Sequence, residues 1–279
     1  MPRTRRSALC AAAGGPLAGT ALLGAAQRAI FSAPAHAAPH VAHQPQSFAP
    51  TNLLVVSATT GYRHDSIPAG IAAIQRLVDE SGHYTLTVLP EASDLAAFTP
   101  ELLAQQHAVL FLNTSGELPL DEAQKTALLD FVRSGGGFCG AHAATDTFYT
   151  WPEYGELIGA TFKEHPWTQP VTITVDDTSH PTTQPLPTAF QIEDEIYTFR
   201  TNPRANRNTR VLMSLEPTSV GLPPSAAPDL PLVWTSTYGA GRVLYNALGH
   251  FDAVWTHPIM TTHLRHALAW LGGLPPPSA

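Results

Sequence analysis

Residues 52–82 read NLLVVSATTGYRHDSIPAGIAAIQRLVDESG, and this stretch decides the fold. Leu53-Leu54-Val55-Val56 is a continuous apolar run, the signature of a strand buried on both faces. A polar loop follows. Ser66, with Pro68 in the first turn, then opens an amphipathic helix: Ile67, Ile71, Ile74, Leu77 and Val78 recur at helical spacing until Gly82 stops them. The same unit recurs downstream. A strand is expected at 84–89, a short helical stretch at 100–105, a strand at 107–113, a helix at 119–133 ended by Gly135, and a strand at 138–141. Strands alternating with helices predict a right-handed, mainly parallel α/β sheet covered on both faces.

Beyond Thr145 the pattern loosens. Residues 151–160 (WPEYGELIGA) predict a short helix, and 171–175, 191–199 and 211–215 alternate like half-exposed strands. Residues 232–237 and 242–247 form a hairpin through the turn Tyr-Gly-Ala-Gly, and a last helix at 258–271 ends at Gly272-Gly273. This part is expected to be a β-rich C-terminal extension, inserted in the parallel sheet or at its edge. Residues 221–229 (GLPPSAAPD) read as a surface loop and 274–279 as a disordered tail.

The chain has 279 residues, 44% of them apolar, which is material enough for a sizeable core and excludes disorder as the main state. Lys and Arg number 15 against 22 acidic residues, so no broad positive field attracts nucleic acid. Charge is unevenly placed. Residues 1–37 hold four arginines and no acid; taking those four from the 15 leaves 11 basic against 22 acidic residues, a formal charge of -11. Arg3, Arg5 and Arg6, a mildly apolar run from 8 to 26 and the small-residue site Ala35-His36-Ala37 read as an export signal peptide cut after Ala37. Arg5-Arg6 before a weakly hydrophobic run resembles a twin-arginine signal, and an ordinary Sec signal stays open beside it. A membrane anchor is opposed by Gly14, Gly15, Pro16, Gly19 and Gly24 inside the run and by Arg28 and Pro34 after it. The expected location is secreted or periplasmic, with a flexible lead at 38–51 and no stable membrane insertion once the signal is removed. Cys10 leaves with the signal, so Cys139 has no disulfide partner.

In an open parallel sheet the ligand crevice lies outside the carboxyl ends of the strands. Tyr62, Arg63, His64 and Asp65 follow the first strand; Asn113, Thr114, Ser115 and Gly116 the third; His142, Thr145 and Asp146 the fourth; His250 and Asp252 the last. Among 13 histidines, that placement singles out His64, His142 and His250. Imidazoles beside carboxylates serve as general acids and bases or as ligands to a divalent ion such as zinc, and both uses stay open. The spacings match no local metal motif, so a metal site would have to be assembled by the tertiary fold. Residues 135–147, GGGFCGAHAATDT, place His142 where a strand-to-helix nucleophile elbow would put Ser or Cys. Asp146, four residues on, is expected on the same face as His142, orienting it. Cys139, inside the strand, reads as a small buried filler.

These residues resemble the ThuA-like family, named for trehalose utilisation, of the class I glutamine amidotransferase-like fold. The resemblance runs from 52 to 273 and rests on GYRHDSIPAGI, GGGFCGAHAATDTFYTWPEYGELIGATFKEHP, DDTSHPTT, EDEIYTF, GRVLYNALGHFDAVW and HPIMTTHLRHALAWLGG. It implies a flavodoxin-like sheet without the amidotransferase cysteine, and site positions at His64, His142, Asp146, His165, His180, Glu195 and His250. Asp194 and Asp252 join on proximity. The family association with disaccharides and 3-keto sugars implies a small carbohydrate as partner. Tyr62, Arg63, Ser115, Trp151, His165 and Trp255 are then expected to bind it, the aromatics by stacking; Phe148, Tyr149, Tyr154 and Trp167 lie near the same motifs. With no elbow cysteine and no downstream His-x-Glu pair, glutaminase activity is disfavoured. The leading expectation is an exported carbohydrate-active hydrolase or lyase. In it His142 is base or ligand, Asp146 orients it, His64 and His250 face it, and Glu195 is the acid. The alternative is a non-catalytic sugar-binding protein that retains a degenerate crevice.

Overall fold

The computed structural model describes residues 50–223 and 228–277. The expected export signal, nearly all of the lead and the middle of the 221–229 loop fall outside them. The elements follow as β1 (Thr51–Val56), α1 (Ile67–Ser81), β2 (Tyr84–Leu89), α2 (Pro100–Leu103), β3 (Ala108–Leu112), α3 (Glu122–Arg133), β4 (Gly137–Ala141), α4 (Pro152–Ile158) and β5 (Phe162–Val175). After them come β6 (Ala189–Phe199), β7 (Arg210–Leu215), β8 (Pro231–Tyr238), β9 (Gly241–Asn246), α5 (Asp252–Thr256) and α6 (Pro258–Leu271). These nine strands form one sheet, in the order β2-β1-β3-β4-β9-β8-β7-β5-β6.

β1 shows why the sheet is double-faced. Leu53 and Val55 pack on one side with Ile67, Ile74 and Leu77 of α1 and Leu268 and Leu271 of α6. Leu54 and Val56 pack on the other with Phe111, Phe138, Tyr154, Trp234 and Tyr245. Each fully buried side chain of this size contributes roughly 1.5–3 kcal/mol, so a strand apolar at every position is stable only where both faces are covered. α1 ends at Gly82, whose φ of 63° is the left-handed conformation that a helix stop requires. α3 starts at Glu122, later than position 119, because Asp121 is its cap: the Asp121 carboxylate accepts from the Gln124 N–H while the Gln124 side chain accepts from the Asp121 N–H.

Two expectations about the sheet need correction. It is mixed rather than mainly parallel: β2-β1-β3-β4-β9 pair in parallel, and β9-β8-β7-β5-β6 pair antiparallel. The β-rich part is inserted, as one of its two expected placements has it, and is not a C-terminal extension, since β5 to β8 lie between β4 and β9 in the chain. The β8–β9 hairpin reverses direction, and that reversal lets β9 return parallel to β4, with Cys139 opposite Leu244. β5 begins at Phe162 rather than 171. Pro166 and Pro170 obscure it in the sequence, yet β5 meets β7 only at 173–175, so over its first part a missing N–H on the outer side costs no ladder bond.

At its ends the domain is tied slightly beyond the expected limits. Thr51 already belongs to β1, its N–H donating to the His83 carbonyl at 2.8 Å, and the Leu274 N–H donates to Ala269 O at 2.9 Å. Residues 275–277 carry no regular element. Among the described residues no helix is long and apolar enough to cross a membrane.

Candidate metal centre at the carboxyl ends of the strands

Four side chains from four separated segments converge above the parallel half of the sheet. His64 comes from the loop after β1, His142 from the end of β4, His250 from the loop after β9, and Glu195 from β6. One potential ligand atom from each lies within 4.8 Å of all the others, and the group could hold a metal ion. The three imidazole rings stand edge-to-face, at 71–90° to one another, with centroids 4.7–5.5 Å apart.

His142 is fixed most tightly. It follows β4 with φ 45°, a left-handed backbone unusual for a residue with a side chain, at the start of a 3-10 turn over His142–Asp146. The surroundings hold that conformation. Nδ1 of His142 lies 2.8 Å from the Ala247 carbonyl oxygen, and the Tyr245 hydroxyl donates to the His142 carbonyl at 2.6 Å. A carbonyl only accepts, so Nδ1 carries the proton and Nε2 presents a lone pair to the other three groups. That Nε2 lies 3.2 Å from His64 Nε2 and 3.6 Å from Glu195 Oε2. His250 Nδ1 lies 3.2 Å from the same Glu195 oxygen but off the hydrogen-bonding direction of the ring, leaving the nitrogen without a hydrogen bond. Buried His64 Nδ1 likewise has no hydrogen-bond partner.

Three imidazole nitrogens and one carboxylate oxygen are a donor set that zinc accepts. Ligands about 2.05 Å from a tetrahedral ion are roughly 3.3 Å apart; the contacts of 3.2, 3.6 and 3.2 Å fit that spacing, and the wider separations, up to 4.8 Å, would have to close around an ion. Protonation agrees with it at His64 and Glu195. Burial, then the neighbouring imidazoles, hold His64 down at about 3, so it is neutral and a possible ligand. Burial works to raise Glu195, but its contacts with His142 and His250 outweigh this and keep the carboxyl below its ordinary range. His250 moves upward, chiefly through Glu195, so an ion would have to displace a proton there.

Other expected site residues lie in several places. His165 of β5 is half exposed, its Nδ1 3.2 Å from the second oxygen of Glu195. Tyr62 is exposed, its ring edge-on to His64. Tyr62, Asp65, Glu193, His250, Phe251 and Asp252 border a cleft of about 520 Å³. A cavity of about 1010 Å³ lies at the opposite end of the strands beside His107, Gly136 and Arg242 and touches none of the cluster.

Asp146 does not orient His142: its carboxylate accepts from the Tyr149 hydroxyl, because the 3-10 turn does not bring positions 142 and 146 together as an α-helix would. Arg63 is turned away, its guanidinium bound to Glu91 and to the Ser57 and Pro90 carbonyls. Ser115 is buried and donates to Tyr62 O. Trp151 packs against Phe148 and Tyr154 in the core, and Trp255 is buried with its Nε1 donating to Gly249 O, so neither offers a face to a sugar. His180 lies against Trp270 of α6, outside the cluster.

Some contributors were not singled out by the sequence. The Tyr197 ring lies 4.3 Å from that of His142; it sits two residues after Glu195 on β6, and the two-residue period of a strand was the available signal. Asn113, already placed after the third strand by the sequence and with positive φ at 51°, and Ser66, read there only as the start of a helix, both bond the Gly249 carbonyl.

The family model described as ThuA, trehalose utilisation, matches residues 52–271, and the chain belongs to that family. A ThuA-like protein of Bacteroides uniformis is similar over 82% of this chain and 95% of its own, with 26% identity and a TM-score of 0.67. A ThuA-like protein of Parabacteroides merdae is similar over 82% and 93%, with 20% identity and a TM-score of 0.64. A β-galactosidase of Bacillus circulans shares the fold over 81% of this chain and 32% of its own, at 12% identity and a TM-score of 0.51. No curated protein matches.

Proposed function

We propose that the chain is an exported, metal-assisted enzyme acting on a neutral sugar, such as a disaccharide or 3-keto sugar derivative. The observation that carries the reading is His142: a buried imidazole whose Nδ1 proton is held by the Ala247 carbonyl, so that its Nε2 lone pair meets His64 and Glu195. His64, His142, His250 and Glu195 would hold the ion. A divalent ion that accepted a substrate carbonyl or hydroxyl oxygen as a fifth ligand beside these four would polarise it.

His142 is completely buried, which suits a ligand better than a base that must reach substrate. His165 suits that second task, being half exposed and directed by the free oxygen of Glu195. It would move a proton at its Nε2, the ring nitrogen not facing Glu195, for example from a C–H acidified by a neighbouring carbonyl. Tyr62 offers an aromatic face, and Asp65, Glu193 and Asp252 offer acceptors for hydroxyl groups. The family description, trehalose utilisation, supports a carbohydrate, and the basic leader with Ala35-His36-Ala37 supports export in folded form.

The experiment is metal analysis of untagged protein, with turnover of 3-keto disaccharides. About one divalent ion per chain is expected, with loss of both ion and turnover in His142→Ala. Metal-free wild-type protein that converts sugars at the same rate as the loaded form would refute the reading.

A further inference from the structure

Asp194 is 0% exposed, and among the described residues no Lys or Arg forms a salt bridge with it. Its carboxylate instead accepts two backbone bonds from the loop that carries His250: Gly249 N–H to Oδ2 at 2.7 Å and His250 N–H to Oδ1 at 3.0 Å. The Gly249 carbonyl is gripped too, accepting from Ser66 Oγ at 2.8 Å, Asn113 Nδ2 at 3.1 Å and Trp255 Nε1 at 3.1 Å. One peptide thus ties together the segments supplying three cluster members. Ser66 lies two residues after His64, Asp194 precedes Glu195, and the next residue is His250. Backbone N–H groups carry only partial charge, and a buried carboxylate without a full positive partner is costly.

We propose that Asp194 is a positioning residue that also serves as the outer counter-charge of the metal centre, making Glu195 and Asp194 together balance a divalent ion. The inference rests on the metal reading of the His/Glu cluster and goes beyond it, because Asp194 touches the loop and not the ion. A structural clamp alone would lower stability equally with and without metal. A counter-charge changes affinity for the ion itself, and groups behind metal ligands typically affect it 10–100-fold.

The test is zinc titration of the full chain against a chromophoric chelator, with thermal melts of the loaded and metal-free forms. Asp194→Asn is expected to weaken zinc binding tenfold or more and to shrink the zinc-induced rise in Tm. Ser66→Ala, which loosens the same peptide without changing charge, should lower both melting temperatures and change affinity less than threefold. Should Asp194→Asn fail to fold, Asp194→Glu is compared with Asp194→Gln, which differ in charge at equal size; the Glu form is expected to bind at least tenfold more tightly. Zinc binding by the wild type with equal affinity in the charged and uncharged variants overturns the inference alone. No zinc binding by the wild type overturns the inference and the metal reading together.

Discussion

Cys139 sits in β4 three residues before the elbow, and its environment decides what it does. It is 5% exposed, packed with Leu110 and Leu244, and burial pushes its thiol up to about 12. The thiolate is the reactive form, so at neutral pH the side chain is an inert filler. Iodoacetamide at pH 7.5 is therefore expected to leave the native protein unlabelled and to label one site per mature chain only after denaturation. Rapid labelling of folded protein with loss of activity would restore a cysteine mechanism. His64, His142 and His250 were legible at this same scale because each follows a strand end, and strand ends on a parallel sheet share one rim. Side-chain direction was not legible. Arg63 and Trp255 lie one and five residues from cluster histidines, but one turns toward Glu91 and the other is sealed against Gly249. Glu195 was reachable only through the family motif, since alternation places Glu193, Glu195 and Tyr197 on one face of β6 without saying which face meets the crevice.

At the scale of elements, the segment between β5 and β6 latches onto α6 through a second group of histidines. His263 Nδ1 donates to Thr182 O at 3.0 Å, and His180 stands edge-on to Trp270. Burial holds both His263 and His180 down at about 4, against about 6.5 in an unfolded chain, outweighing the Thr182 hydrogen bond that raises His263 and aided at His180 by Arg210. A proton consequently binds the unfolded state more readily. The latch contributes fully above about pH 6.5 and loses its contribution as pH falls toward 4. Melts of metal-free protein should show Tm dropping across that window, and His263→Gln should melt lower at pH 7 with a shallower acid slope. An unchanged slope would assign the acid sensitivity elsewhere. The regular elements were legible where periodicity was uninterrupted, as in β1, α1 and α6. β5 was half hidden, because prolines mark an edge and a break alike in sequence, and only the pairing with β6 separates the two. α5, a single turn after His250, is too short to show a period at all.

For the whole molecule, the antiparallel half of the sheet exists in the chain as a long detour between β4 and β9, and its outermost strand brings Glu195 back over the parallel half. This joining of β6 to the loops after β1, β4 and β9 could not be read from periodicity, which reports faces and not which strands become neighbours. It has a thermodynamic consequence. An ion held by four segments distant in sequence binds the folded chain and not the unfolded one, so loading stabilises the entire sheet by mass action, roughly 2.7 kcal/mol at a hundredfold excess over Kd. For a chain of this size that is a rise in Tm of roughly 5–10 °C. Calorimetry should therefore give a single cooperative transition that EDTA lowers by about that amount and zinc restores, whereas Glu195→Gln should show a much smaller response. An EDTA-insensitive wild-type transition would mean that the four side chains hold no structural ion. A separate low-temperature step sensitive to EDTA would mean that the antiparallel half melts by itself, with the ion clamping it to a parallel half that is already stable.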